Sequence, residues 1–305
     1  MRYNFQTPMG IDAKVARFLF GAKAAGTDYK NALMIGRQFF DPEPDELTQM
    51  LAVQGLSVTG SELLEQSGGW AEAFFRLLGA QTIDSMDASA FEGASIVHDL
   101  NRPIDASLHE RFSMIFDGGT LEHIFDVPRA IQNCMSMLSA GGSFIQVAPA
   151  NNFMGHGFYQ FSPELLFQVL SSSNGFRVVV MLLQEDVRGG KSYVVASPSL
   201  VGKRVQLTNR LPTYVCTIAR REKIVPLFAE PPAQSDYSSA WRAGQSALAY
   251  HSRTGLALAA ARSALRYIPA SSERLIRTWY IRGFRSQPDC FRPIQPDQIL
   301  RGEFT

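Results

Sequence analysis

Cysteine is scarce in this 305-residue chain. Cys134, Cys216 and Cys290 stand far apart and form no CxxC pair. That excludes a disulfide framework and leads us to expect a reducing, cytoplasmic setting. Net charge is almost lacking as well, with 29 Lys+Arg against 28 Asp+Glu for a formal +1. Dedicated nucleic-acid binders carry a basic excess, so no DNA partner is expected. No run approaches the ~20 apolar residues of a membrane span. The opening residues MRYNFQTPMGIDAKVARFLF show no small-residue cleavage signature, so no signal peptide is expected. Internal repeats and low-complexity tracts are missing. So are an HExxH motif and any Cys/His cluster, which leaves no sequence signal for a metal.

What the chain does have is apolar mass. At 46% apolar and 19% charged residues it can bury a large core in one or two domains. Charge is unevenly spread. Residues 231–305 hold ten arginines, no lysine and five acids, a net of +5, which leaves −4 for 1–230. The Pro231-Pro232 pair marks the break. We therefore expect a main domain over 1–230 and an arginine-rich helical extension over 231–305. Helical stretches are expected at 256–267 and 273–284, separated by Pro269. They bring Arg262, Arg266, Arg274, Arg277, Arg282 and Arg285 beside Trp279, Tyr280 and Phe284. Such a surface packs on the sheet or on a second copy of the chain. Alternatively it grips an anionic acceptor or an acidic membrane surface.

Along the main domain, hydrophobic periodicity predicts alternating strands and helices. A helix over 12–25 precedes a strand over 31–35 closed by Gly36. Pro42 and Pro44 mark a loop before a helix starting at Glu46, and a second helix covers 70–78. Together these make an inserted helical segment at about 41–78. Strands follow at 80–83, 95–97 and 113–116, running into Asp84, His98-Asp99-Leu100 and Asp117-Gly118-Gly119. A helix over 127–138 is ended by Gly141-Gly142. Strands at 143–147, 176–183 and 213–219 complete the pattern, with a helix at 163–170 and a hairpin insertion at about 186–210. This is an α/β, doubly wound and mostly parallel sheet. Ligands in such sheets sit beyond the carboxyl ends of the strands, where strand order reverses. Three successive strands ending in Asp84, Asp99 and Asp117 point to a nucleotide-type cofactor.

The segments FDGGTLEHI (116–124), LSAGGSFI (138–145), Pro149 and FSPEL (161–165) together resemble the class I S-adenosylmethionine-dependent methyltransferases. The similarity runs from about residue 31 to 221. It implies S-adenosylmethionine as cofactor, with Gly36 at the turn that meets its methionine part and Asp84, followed by Ser85, holding the ribose hydroxyls. Asp99 and Leu100 would lie near the adenine, and Asp117 and Gly118 beside the sulfur. The first motif departs from the family's G-x-G-x-G, since Gly36 is followed by Arg37 and Gln38. Glycine matters there because only a residue without Cβ lets a ligand approach the backbone. Arg37 and Gln38 are large: either Arg37 forks onto the cofactor's carboxylate, or the two side chains fill the cofactor's space.

A hydroxyl acceptor needs a general base, a role suited to histidine near neutral pH. His156 lies in NNFMGHGFYQ (151–160), a loop expected to open onto the edge that carries Asp117. Its Asn151, Asn152, Tyr159 and Gln160 are candidate acceptor contacts, and His123 is the second catalytic candidate. The activity expected is methylation of a hydroxyl or amine on a polar small molecule, such as a sugar or nucleotide-linked sugar. The alternative, raised by the irregular first turn, is a catalytically silent binding or scaffolding protein of the same fold.

Overall fold

A computed structural model describes residues 10–237 and 287–304. Its strands in chain order are β1 (Gly10–Ile11), β2 (Asn31–Ile35), β3 (Phe39–Phe40), β4 (Thr82–Asp87), β5 (Ile96–Val97), β6 (Phe112–Asp117), β7 (Leu138–Asn151), β8 (Phe176–Glu185), β9 (Ser192–Val195), β10 (Thr213–Arg221) and β11 (Phe291–Ile294). The main helices are α1 (Ala13–Ala24), α2 (Pro44–Val53), α3 (Gly60–Ser67), α4 (Glu72–Leu78), α5 (Val127–Met137) and α6 (Pro163–Val169). Nine strands form one sheet in the order β11-β9-β8-β10-β7-β6-β2-β4-β5, while β1 and β3 pair separately.

Strands β7, β6, β2, β4 and β5 run parallel, and β8 to β11 are antiparallel to their sheet neighbours. The chain therefore starts at the centre with β2, moves outward to β4 and β5, then returns to the other side of β2 with β6 and β7. That reversal puts the crevice of a doubly wound sheet between β2 and β6.

Side-chain alternation explains why both faces must be covered. Ala32 and Met34 of β2, with Met114 and Phe116 of β6, pack among α1, α2, α3 and α4. Leu33, Ile35 and Ile115 point to the opposite cluster, shared with Ile131 and Cys134 of α5 and Leu166 of α6. Strands apolar on both faces need helices on both faces. Local signals start those helices. Asp12 caps α1 by accepting from Val15 N–H at 2.8 Å, and Thr59 with Glu62 forms a capping box for α3. Among the described residues, no helix is long and apolar enough to cross a membrane.

Four expectations need correction. Strand β4 continues past Asp84 to Asp87, so Asp84 sits opposite Leu33 in mid-strand. Gly141-Gly142 lies inside β7, not at the end of a helix, because α5 stops at Met137. The hairpin joins β8 to β9, so its turn falls at the start of the expected 186–210 stretch, and no second strand follows before β10. Residues 287–304 are not an appendage: β11 extends the main sheet, and Ile299, Leu300 and Phe304 share a core with Phe18 and Phe20. The charge break at 231 hid the apolar residues that draw the chain back. The expected helices at 256–267 and 273–284, with their arginines, lie outside the described residues.

The return is tightest at Gly21. A Cβ there would fall on the carbonyl of Ile299, in the short helix Pro296–Leu300. Gly21→Ala should therefore lower the urea midpoint, corresponding to about 1–3 kcal/mol of overpacking strain. The clash outweighs the ~1 kcal/mol that alanine gains in a helix. An unchanged or higher midpoint would show that residues 296–304 do not dock on α1.

Candidate functional site at the carboxyl edge of the sheet

Strand β2 ends at Ile35 and turns at Gly36, which has φ +69. Its N–H donates to the Met86 carbonyl at 2.7 Å. A Cβ here would lie 2.6 Å from the Thr120 hydroxyl oxygen, and that hydroxyl donates to the Ile35 carbonyl at 2.7 Å. Both the dihedral and the close contact demand glycine.

The next two residues part company. Arg37 turns away from the crevice: its Nε lies 2.7 Å from the Glu72 carboxylate, its Nη1 donates to the Glu92 carbonyl, and its guanidinium stacks over Trp70 at 4.2 Å. A guanidinium so engaged is not free to fork onto a ligand carboxylate, so Arg37 leaves the set of cofactor contacts. Gln38 turns inward and is 3% exposed. Its Nε2 donates to the Ile35 and Gly36 carbonyls, while its Oε1 finds no donor among the described residues. A Cβ on Gly118 would strike that Oε1 and the Phe116 ring, which explains the glycine after Asp117.

The second-strand acid is also reassigned. Asp84 binds Arg111 at 2.8 Å and the Ser95 hydroxyl at 2.9 Å, and Ser85 exchanges hydrogen bonds with Ser95. Both residues fasten β4 to the segment before β5. The acid at the carboxyl end is Asp87, half-buried, with its Oδ1 accepting from Ser89 N–H. Extending the strand by the apolar Met86 would have located it. Asp99 closes a local turn with Asn101, whose side-chain and backbone donors hold its carboxyl below the usual range. Leu100 is a buried core residue.

At the end of β6, Asp117 is fully buried. It accepts from Thr120 N–H at 2.9 Å, Leu121 N–H at 3.2 Å and Gln146 Nε2 at 2.9 Å. Burial, reinforced by the nearby Glu122 carboxylate, pushes its pKa up to about 7 in spite of those donors. The short turn Leu121–His123 follows. Glu122 is also fully buried, and neither of its carboxylate oxygens has a hydrogen-bond partner among the described residues. The Gln146 Oε1 is unpartnered too.

The 151–160 loop closes over this turn. Its Phe158 and Tyr159 N–H groups donate to the Glu122 carbonyl at 2.8 and 3.2 Å. His156 thereby comes to rest with Nε2 3.6 Å from Glu122 Oε1, too long for a formed hydrogen bond. The carboxylate still pulls on that N–H enough to raise the imidazole above its ordinary value, against partial burial. The His123 and His156 rings are 5.3 Å apart. Both histidines are legible in the sequence as candidates, whereas Glu122, Gln38 and Gln146 are not, because nothing in a linear pattern says which acceptors will lack donors.

The four polar residues expected to contact the acceptor instead hold the loop in shape. Asn151 and Asn152 bond Asn209, and Asn152 also bonds the Leu211 carbonyl. Gln160 accepts from Phe153 N–H, and the Tyr159 hydroxyl donates to the Phe125 carbonyl. Phe125, Met154 and Phe158 stand exposed on the loops that carry His123 and His156.

No family model matches the chain, and no curated protein does. Among solved structures, it is similar to the 1,6-didemethyltoxoflavin-N1-methyltransferase of Burkholderia thailandensis with bound S-adenosylhomocysteine. Identity is 12%, coverage is 69% of this chain and 79% of that one, and the TM-score is 0.37. The N-methyltransferase NodS of Bradyrhizobium japonicum, also with S-adenosylhomocysteine, gives 13%, 68%, 85% and 0.37 for the same quantities. A branched-chain polyamine synthase of Thermus thermophilus with 5'-methylthioadenosine gives 14%, 73%, 58% and 0.37.

The buried Asp117 makes a pH prediction. Between its ordinary value of 3.8 and about 7, the folded chain holds a proton that the unfolded chain has lost. Stability contributed by this group therefore falls as pH rises through that window. Urea midpoints measured at pH 5 and pH 8 should drop more for the wild type than for Asp117→Asn. Equal drops would acquit Asp117.

Proposed function

We propose that the protein is a class I S-adenosylmethionine-dependent methyltransferase acting on a hydroxyl or amine of a small molecule, in the cytoplasm. The observation that carries this reading is a pair of buried oxygens without donors at one sheet edge, Gln38 Oε1 and Gln146 Oε1. Beside them lies an Asp117 held near neutrality by burial. Buried acceptors without partners are costly, and acceptors alone call for a ligand that is cationic and rich in donors. S-adenosylmethionine answers with a sulfonium, an ammonium and two ribose hydroxyls. When bound, it supplies an electrophilic methyl group for in-line displacement.

The chain's own residues would then divide the work. Gly36 gives the cofactor's amino-acid part access to the backbone, and Gln38 Oε1 accepts from its ammonium. Asp87, in place of Asp84, takes the ribose hydroxyls by paired acceptance. Asp117 faces the sulfonium side and, once ionised by that neighbour, offsets its charge. Glu122 and His156, with His123 beside them, handle the acceptor's proton. The exposed Phe125, Met154 and Phe158 favour an acceptor with an apolar portion next to its reacting group. A nucleotide-linked acceptor would bring anionic phosphates, and the arginine-rich stretch 231–305 carries residues of the opposite charge.

The inward fold of Gln38 supports the competing reading of a silent scaffold, since its side chain occupies part of the crevice. Calorimetric titration of the full chain with S-adenosylmethionine and S-adenosylhomocysteine separates the two. Binding should appear with both. Asp87→Ala should weaken it by about tenfold or more, the size expected for losing charge-assisted hydrogen bonds. Asp84→Ala should leave affinity nearly unchanged. Absence of heat from folded protein would leave the scaffold reading, and the reverse order of the two variants would restore Asp84 to the site.

A further inference from the structure

The chemistry of Glu122, His123 and His156 goes beyond a simple base. Glu122 is 0% exposed and both of its oxygens lack donors among the described residues. A carboxyl group buried without donors is costly, and the 3.6 Å approach of His156 Nε2 meets that cost only in part. His156 Nε2 is likewise a buried atom without a hydrogen bond. One nitrogen from each histidine and one Glu122 oxygen lie within 4.8 Å of one another. The neighbouring acid differs, because both Asp117 oxygens already accept from Thr120, Leu121 and Gln146.

The fold brings these groups together from two loops. Glu122 and His123 come from the turn after β6, and His156 from the loop after β7, where Gly155 and Gly157 both adopt positive φ. The bonds from Phe158 and Tyr159 to the Glu122 carbonyl lock one loop onto the other. A Cβ on Gly157 would lie 2.8 Å from that same carbonyl oxygen, so the close approach that seats His156 depends on glycine. His123 is exposed, and a small inward adjustment of its side chain would let all three atoms reach one ion at the roughly 2.0–2.2 Å typical of imidazole and carboxylate ligands.

We propose that Glu122, His123 and His156 form a binding site for one divalent transition-metal ion, such as zinc, manganese or iron(II). Two imidazoles and one carboxylate make a borderline donor set that suits these ions better than magnesium or calcium, which prefer all-oxygen shells. Three protein ligands would leave coordination positions open for an acceptor or water. The site stands on its own geometry, while its use rests on the methyl-transfer reading. There, the ion would act as a Lewis acid that lowers the pKa of the acceptor hydroxyl, whose proton would pass to solvent because Glu122 and His156 would then serve as ligands and not as bases. An oxygen lone pair then forms the new O–CH3 bond as the C–S bond breaks and its electron pair returns to sulfur. The ion also explains how a carboxylate can sit fully buried beside two histidines without a hydrogen bond.

The test uses full-length protein without a histidine tag, stripped with chelator and titrated with Co(II) and then Zn(II). One equivalent of Co(II) should give visible d–d absorption bands that Zn(II) abolishes. Glu122→Gln and His156→Ala should each weaken Zn(II) binding by more than the ~10–100-fold typical of losing an outer-shell partner. Asp117→Asn, which removes no ligand, should retain stoichiometric binding. No bands and no 1:1 heat would overturn the proposal, as would binding that survives both ligand substitutions. Titrating the stripped chain with S-adenosylhomocysteine distinguishes this failure from failure of the methyltransferase reading. Cofactor binding without metal binding leaves that reading intact, whereas metal binding without cofactor binding removes it. Methyl transfer at full rate from stripped protein would make Glu122 and His156 a metal-free base pair and would also sink the ion.

Discussion

Two buried carboxylates at the end of β6 govern the site. Asp117 and Glu122 are both fully enclosed, and Glu122 is among the causes that raise Asp117. Asp117 is satisfied by backbone and amide donors, while Glu122 has none among the described residues. Negative charge collected in a dry crevice is tolerable only if something positive or proton-bearing enters it. The neighbouring architecture is arranged around that constraint. The Gly36 turn keeps Thr120 close, Gly118 makes room for Gln38, and the 151–160 loop swings His156 onto Glu122. The proposed ion answers the unpartnered Glu122 oxygens, and the proposed cofactor answers Asp117 and the free oxygens of Gln38 and Gln146.

Much of this was readable in the sequence. The run at 31–35, the alternation of strands with helices and the acid at 117 follow from apolar periodicity and turn residues, and all three stand in the structure. Two kinds of signal misled. Strand length at β4 was underestimated because Asp84 and Ser85 interrupt the apolar pattern, and the polar residues there serve Arg111 and Ser95 in place of a ligand. Composition misled at the other end, where an arginine-rich stretch concealed Phe291, Ile294, Ile299 and Leu300. Those side chains complete the sheet edge and the α1 face.

The 151–160 loop shows a further limit. Its mixture of asparagines, glutamine and aromatics reads as a pocket lining, yet most of its polar groups are spent on holding the loop's own shape. What faces the site is the residue between two glycines, His156, and a glutamate that linear pattern assigns to a turn. Hydrogen-bond satisfaction is a property of three dimensions. It turned Gln38 from an obstruction into a candidate contact and Arg37 from a candidate contact into an anchor on Glu72 and Trp70.

The central claim is that the carboxyl edge of β2, β4 and β6 is where an adenosyl ligand binds. Amide hydrogen exchange with and without saturating S-adenosylhomocysteine tests it most directly. The account predicts slowed exchange at residues 36–40, 87–101 and 117–123, with little change at the opposite edge around 109–111 and 221–227. Protection confined to that opposite edge, or none anywhere in a folded chain, would contradict it.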